Sequence, residues 1–441
     1  MKRIGLLSSL LIIMVTLPLI GFSQKAEWVE QVIVANGNKY ESTPPAADYV
    51  TVQTYNPATG VTYVFDEIKT QSAQDVLIAN GRIYVAAQDS LVMYDANTLQ
   101  RLAAIADSGL SRIYLFNDKL IVSKQYPIVR FFVEVLNAND LSLVARVQNI
   151  SGDCKGIVHT KDSIYVVVNG GFLSSEGKLA VINYNNWTLA REINFGPNAV
   201  GINDIYSYGG LLYTINETPF GSAVFGSITS FNPSSTAFTN HQITYLVGNG
   251  AGGVKNSGVI DNLLYLTMNN GIGSFNMDTY QVEDPSIFPD PGVVNHIYYT
   301  SFTTDYVNSF IYMNIGNRIS WGVDVVGTST GDSVTSFQTG FNTDALALDY
   351  RVPVGIDNQS ANEATVAIYP NPVENQVRIK YTGDAAVNEI VIRDLTGRTI
   401  YQSNEHSYSA KWVDCSSYPA GLYFVTVKTD SKTLSTKFIK N

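Results

Sequence analysis

The sequence predicts an all-β chain: a β-propeller of about seven four-stranded blades, closed by its own last strand, then a small immunoglobulin-like β-sandwich. Three observations lead there. First, one short phrase recurs: a hydrophobic run, Asn or Asp, a few small or polar residues, Thr or Asp, and a second hydrophobic run. Its Asn/Asp stands at 56, 95, 137, 185, 232 and 276, with spacings of 39, 42, 48, 47 and 44 residues. A period of this size with several strands per unit is the mark of a propeller. Second, apolar residues alternate or run in short stretches bounded by turns, where a helical repeat would space them by three and four. Third, the 27 Tyr and 19 Phe among 441 residues favour strands.

The chain opens with a basic pair, Lys2 and Arg3, an apolar stretch from Ile4 to Ile20, and Gly21-Phe22-Ser23-Gln24. This pattern predicts a secretory signal peptide over residues 1–24. No Cys follows it to carry a lipid, and no later stretch is long and apolar enough to span a bilayer. The net charge is −10, without a Lys/Arg block, so a phosphate backbone is repelled and nucleic acid is not an expected partner. The two cysteines, Cys154 and Cys415, make no disulfide framework and have no zinc-type spacing.

The repeat occupies residues 25–351. The second unit is the clearest: strands at Asp75–Ala79, Arg82–Ala87, Ser90–Tyr94 and Leu99–Ala104, with an Asn80-Gly81 hairpin turn. Its Ile83-Tyr84-Val85 signature returns as Leu120-Ile121-Val122, Ile164-Tyr165-Val166, Leu212-Tyr213-Thr214, Leu264-Tyr265-Leu266 and Ile311-Tyr312-Met313. The turn of the last unit, near Asp324 to Thr328, lacks the usual spelling. The first unit supplies only three strands, and Asp344-Ala345-Leu346-Ala347-Leu348 resembles the missing inner one. The expectation is that this late segment completes the first blade and removes the open edge between chain ends.

Propeller connectivity sends the start of each inner strand and the loop between second and third strands to one face. Asp75, Arg112, Lys155, Asp204, Asn256, His296 and Asp344 should therefore ring one channel mouth. The loops on that face carry Tyr40, Tyr126, Phe172, Phe220, Asn269 and Arg318. Aromatics beside amides and charges suit a large polar ligand, such as a glycan, a peptide or a corrinoid. Convergence of Asp75, Asp204, Asn256 and Asp344 on the channel would instead suit a metal-dependent lactonase or hydrolase. A surface scaffold using the same face is a third reading. The four histidines fall in separate units without a metal-type doublet, and the Thr-Gly…Trp repeat of quinoprotein dehydrogenases is missing. No cofactor is expected.

Residues 352–363 read as a linker, and residues 364–441 as several short strands. Here Tyr369-Pro370-Asn371-Pro372, Asp394-Leu395-Thr396-Gly397-Arg398, Gly421-Leu422-Tyr423 and Lys437-Phe438-Ile439-Lys440 occur in order. Together they resemble the C-terminal sorting domain of the type IX secretion system. That resemblance implies the type IX machinery as a partner, passage through the periplasm, and release or attachment at the cell surface. The repeat region is similar, in its phrasing, to Bacteroidetes surface propellers related to quinoprotein- and lactonase-like proteins. Some of these look like cobalamin-binding partners of outer-membrane transporters, which implies a transporter as a further partner, beside the surface glycan that the loop chemistry allows. Those binders carry a lipid-bearing Cys that this chain lacks.

Overall fold

The protein is represented by a computed structural model, which describes residues 27–37, 49–171, 174–217, 226–244, 256–268, 271–289, 301–316, 321–352, 365–382, 386–404, 410–430 and 432–441. The expected signal peptide and most of the expected linker lie outside these residues. Strands dominate; one 3-10 turn spans Pro197–Ala199. Among the described residues, no helix is long and apolar enough to cross a membrane.

Among the described residues, those between 28 and 351 form seven four-stranded antiparallel sheets. Six of them follow chain order, as in Asp75–Ala79, Arg82–Ala87, Ser90–Asp95 and Arg101–Ala106. The first sheet does not: Thr343–Arg351 is its inner strand, paired with Trp28–Asn36 in a register that sets Val32 against Leu348 and Val34 against Leu346. The expected closure by the late segment is therefore present.

Seven hydrophobic clusters account for the ring, each shared by two neighbouring sheets. Ile33, Val52, Ile83 and Val92 join the first to the second. The series ends where Tyr312, Val323 and Phe337 of the seventh sheet meet Val32, Val34 and Leu346 of the first. Because a sheet here is buried on both faces, its middle strands are apolar throughout, as in Ile164–Val168, while outer strands such as Arg101–Ala106 are largely exposed. This geometry explains the Ile-Tyr-Val signature. Ile83 and Val85 face the preceding sheet, and Tyr84 faces the next. Ile164 and Val166 against Tyr165, and Leu264 and Leu266 against Tyr265, repeat the division.

The turn phrase also has a physical cause. Asp95 Oδ1 accepts the amides of Asn97 and Thr98 at 2.9 and 2.8 Å, and Asn232 Oδ1 those of Ser234 and Ser235 at 2.9 and 3.0 Å. Four residues past the Asx the backbone turns left-handed, at Gly60, Leu99, Leu141, Trp187, Thr236 and Tyr280. In the fourth sheet this identifies Asn183 as the turn Asx, since its Oδ1 accepts the Asn185 amide at 2.9 Å. The sequence reading had placed that role on Asn185. The doubled Asn185-Asn186 fits the phrase equally well by composition, so only the hydrogen bond fixes the phase. The seventh sheet turns at Gly327–Gly331, where Gly331 (φ 71°) donates to the Gly327 carbonyl at 2.9 Å.

The tail has two sheets around one core. Thr365–Tyr369, Gln376–Thr382 and Ala410–Asp414 form one; Thr399–Ser403, Val387–Asp394, Gly421–Thr429 and Thr433–Lys440 form the other. Val377, Ile392, Val425 and Phe438 pack between them. The Ala410–Asp414 strand escapes sequence reading because it is short and interrupted by charge.

The tail rests on the end of the ring that carries the first-to-second-strand turns. Arg378 forms an ion pair with Asp261 and donates Nη1 to the Tyr306 carbonyl at 2.8 Å. Lys380 lies 3.5 Å from the centre of the Tyr306 ring, whose hydroxyl donates to Glu27 at 2.7 Å.

Candidate functional site

The opposite end of the ring collects the openings of the inner strands, and polar groups gather there because seven strands converge on one axis. Arg112 and Lys155, on neighbouring sheets, are 4% and 1% exposed. Lys155 donates to Asn203 Oδ1 at 2.9 Å, Asn203 to Asn256 Oδ1 at 3.0 Å, and Asn256 to Glu217 Oε1 at 3.1 Å. This chain of hydrogen bonds links the fourth, fifth and sixth sheets. Arg112, on the third sheet, lies close enough for its charge to act on Lys155, Glu217 and Tyr206. Burial, reinforced by that neighbouring cation, pulls the Lys155 ammonium down to about 7. Burial pushes the Glu217 carboxyl up against the pull of Lys155.

Asp75, Asp204 and Asp344 have different work. Asp75 accepts the Ile113 amide at 3.0 Å, Asp204 the Ser257 hydroxyl at 3.0 Å, and Asp344 the Ala73 amide at 2.9 Å. Each thus ties its inner strand to the next sheet. Within its own sheet Asp344 also packs against Gly37, where a Cβ would collide with the carboxylate. Among the described residues no three His, Cys, Asp or Glu side chains gather as a metal site needs.

Tyr126 stands at the rim, 81% exposed. Its loop is pinned by Gln125 Nε2 donating to Gln74 Oε1 at 3.1 Å, and its backbone lies beside the Asp153 carboxylate. The structure therefore brings Arg112, Asp204 and Asn256 together, joined by Lys155. Asp75 and Asp344 lie on the same end of the ring. Tyr40, Phe172, Phe220, Asn269, His296 and Arg318 lie outside the described residues. Sequence reasoning missed Asn203 and Asp153. Their only signal is adjacency to an inner-strand opening. His159 and His241 belong to blade packing, one bonded to the Tyr114 hydroxyl at 2.6 Å, the other stacked on Tyr280. Cys154 and Cys415 are both free and buried.

In the tail, one landmark residue links the two sheets and the others shape the turns and packing of one sheet. Asn371 Oδ1 accepts the Ile439 amide at 2.9 Å beside Pro370 and Pro372. Gly397 turns at φ 85° under the Asp394 carboxylate, which accepts the Thr396 and Arg398 amides. Tyr423 donates to the Pro419 carbonyl at 2.8 Å and stacks on Phe438, and Gly421 opens its strand. Lys437 is exposed on the last strand.

Residues 367–441 match the family model of the secretion system C-terminal sorting domain. No curated protein matches the chain. Among solved structures, a protein from Bacteroides uniformis provisionally assigned as a 6-phosphogluconolactonase superimposes with a TM-score of 0.53 at 11% identity, over 73% of this chain and 100% of its own. A quinoprotein alcohol dehydrogenase-like protein from Bacteroides thetaiotaomicron gives 0.51 at 13% identity, over 72% and 77%. A second protein with the lactonase assignment, from Bacteroides fragilis, gives 0.51 at 11% identity, over 72% and 97%. These likenesses establish the propeller fold alone. The chain is a propeller that carries a type IX sorting tail, and it is exported to the cell surface or beyond it.

Proposed function

We propose that this exported propeller is a binding protein and takes its ligand at the channel mouth where the inner strands open. The observation that carries the reading is the buried polar relay Lys155–Asn203–Asn256–Glu217, with Arg112 beside it. Polar groups gathered in a concave, largely preformed setting orient a ligand, and a rim aromatic adds stacking area at low entropic cost. Tyr126 is such an aromatic, and Tyr40, Phe172 and Phe220 complete the proposed rim. Among the described residues the tail contacts the other end of the ring, through Asp261 and Tyr306. A glycan or a corrinoid fits the chemistry, and so does a partner protein such as an outer-membrane transporter. The lactonase reading is weaker, because Asp75, Asp204 and Asp344 already serve neighbouring sheets.

The test is calorimetric titration of the purified protein with cyanocobalamin and with oligosaccharides from the outer surface of the cell. We expect one class to bind with 1:1 stoichiometry, and Tyr126→Ala to weaken it about tenfold, the loss of one stacked aromatic contact. Binding that Tyr126→Ala leaves unchanged, or no binding in either class, would reject the mouth as the site.

A further inference from the structure

We propose that the channel mouth holds an anionic group, a carboxylate or a phosphate, on the Nε–Nη2 edge of the Arg112 guanidinium. This rests on the mouth reading above and names the ligand chemistry it requires. Arg112 is fixed by one edge only: Nη1 donates to the carbonyls of Gln74 at 3.2 Å and Ser111 at 3.4 Å. The other edge, Nε and Nη2, is buried and has no hydrogen-bond partner among the described residues. Those two N–H groups form the parallel pair that grips a carboxylate or phosphate bidentately. Buried donors, and charged ones above all, are otherwise paired.

The nearby carboxylates do not fill the position. Asp204 accepts from the Ile205 amide and the Tyr206 and Ser257 hydroxyls. Glu217 accepts from Asn256. These hydrogen bonds come from neutral donors, and the Nε–Nη2 edge of Arg112 is unpaired among the described residues beside a second cation, Lys155. The side chain is anchored and oriented in advance, so an arriving anion need not order it. A neutral sugar or an uncharged apolar ligand would leave the fork unmet.

The experiment uses the full chain with inorganic phosphate and with succinate as probes, read by thermal shift and calorimetry. Arg112→Gln removes charge and fork, whereas Arg112→Lys keeps the charge and loses the fork. Circular dichroism and the melting transition establish that both variants are folded. Saturable binding of either probe is expected, abolished by Arg112→Gln and weakened at least tenfold by Arg112→Lys. Response to phosphate alone identifies a phosphate-bearing ligand, and response to succinate a carboxylate-bearing one; either supports the proposal. Absence of saturable binding to the wild type, or equal binding by wild type and Arg112→Gln, overturns it. The two readings separate cleanly. A ligand lost on Tyr126→Ala, untouched by Arg112→Lys and not displaced by either anion, sinks the anion site and leaves the mouth standing. Anion binding that depends on Arg112, with no ligand sensitive to Tyr126→Ala, keeps the anion site and rejects the Tyr126 rim as the seat of a glycan or corrinoid.

Discussion

Asp344 is 5% exposed, and its carboxylate leans on the Ala73 amide and the Asn342 side chain. Burial outweighs these bonds and raises its pKa to about 7. The unfolded value is about 3.9. Between those two values the folded chain retains a proton that the unfolded chain has released, so the contribution of Asp344 to stability falls as pH rises through that window. Asp344→Asn has no proton to lose. Its unfolding free energy relative to wild type should improve between pH 4.5 and pH 8 by on the order of 2–4 kcal/mol, whatever constant offset the lost acceptor adds. Denaturant titrations at the two pH values measure this, and an unchanged difference would refute the assignment. The position of Asp344 was legible in the sequence, as were those of Asp75 and Asp204, because each opens an inner strand. Their partners were not. A donor such as the Ile113 amide is invisible until neighbouring sheets are set side by side.

At the scale of the strand, the recurring tyrosine has a role beyond packing. Tyr84 donates to the Ala138 carbonyl at 2.8 Å, and Tyr213 to the Met277 carbonyl at 3.0 Å. Both acceptors follow the turn Asx of the next sheet. In the first sheet Gln31 does the same job, donating to the Ala96 carbonyl at 2.6 Å. The second-strand signature and the Asx turn, read separately in the sequence, are two ends of one repeating link between sheets. The sequence displays both because each obeys a local rule: alternation for the strand, side-chain capping for the turn. It hides the link, which joins residues 54 apart in one case and 64 apart in the other. Tyr84→Phe and Tyr213→Phe should each cost about 1 kcal/mol, the net worth of one buried hydrogen bond, with ring packing retained. Chemical denaturation of the two variants checks this, and a loss below a few tenths would show the hydroxyl bonds to be incidental.

For the molecule as a whole, closure of the ring dominates. The first sheet joins Trp28–Asn36 to Thr343–Arg351, and the cluster around Val32, Leu346 and Tyr312 depends on that pairing. A chain ending at residue 352 should therefore unfold in one cooperative transition. A chain ending at residue 342 loses the inner strand of a sheet and two inter-sheet clusters with it. It should show a broad transition and bind a hydrophobic dye. Calorimetry and dye fluorescence on the pair decide the matter, and equal cooperativity would mean that the ring is held elsewhere. Closure was legible because the late segment repeats the spelling of Asp75–Ile78. Half of the proposed rim was less so, since composition alone marked it.

The order of residues along the chain gives that closure a consequence for export. The segment that seals the ring ends at Arg351, and the matched sorting domain begins at residue 367. Synthesis runs from the amino end, so whatever reads the tag meets it only after every blade has been made. A message cut short or a chain broken before its final blade yields a product with no address. The address label thus doubles as a receipt for a complete body.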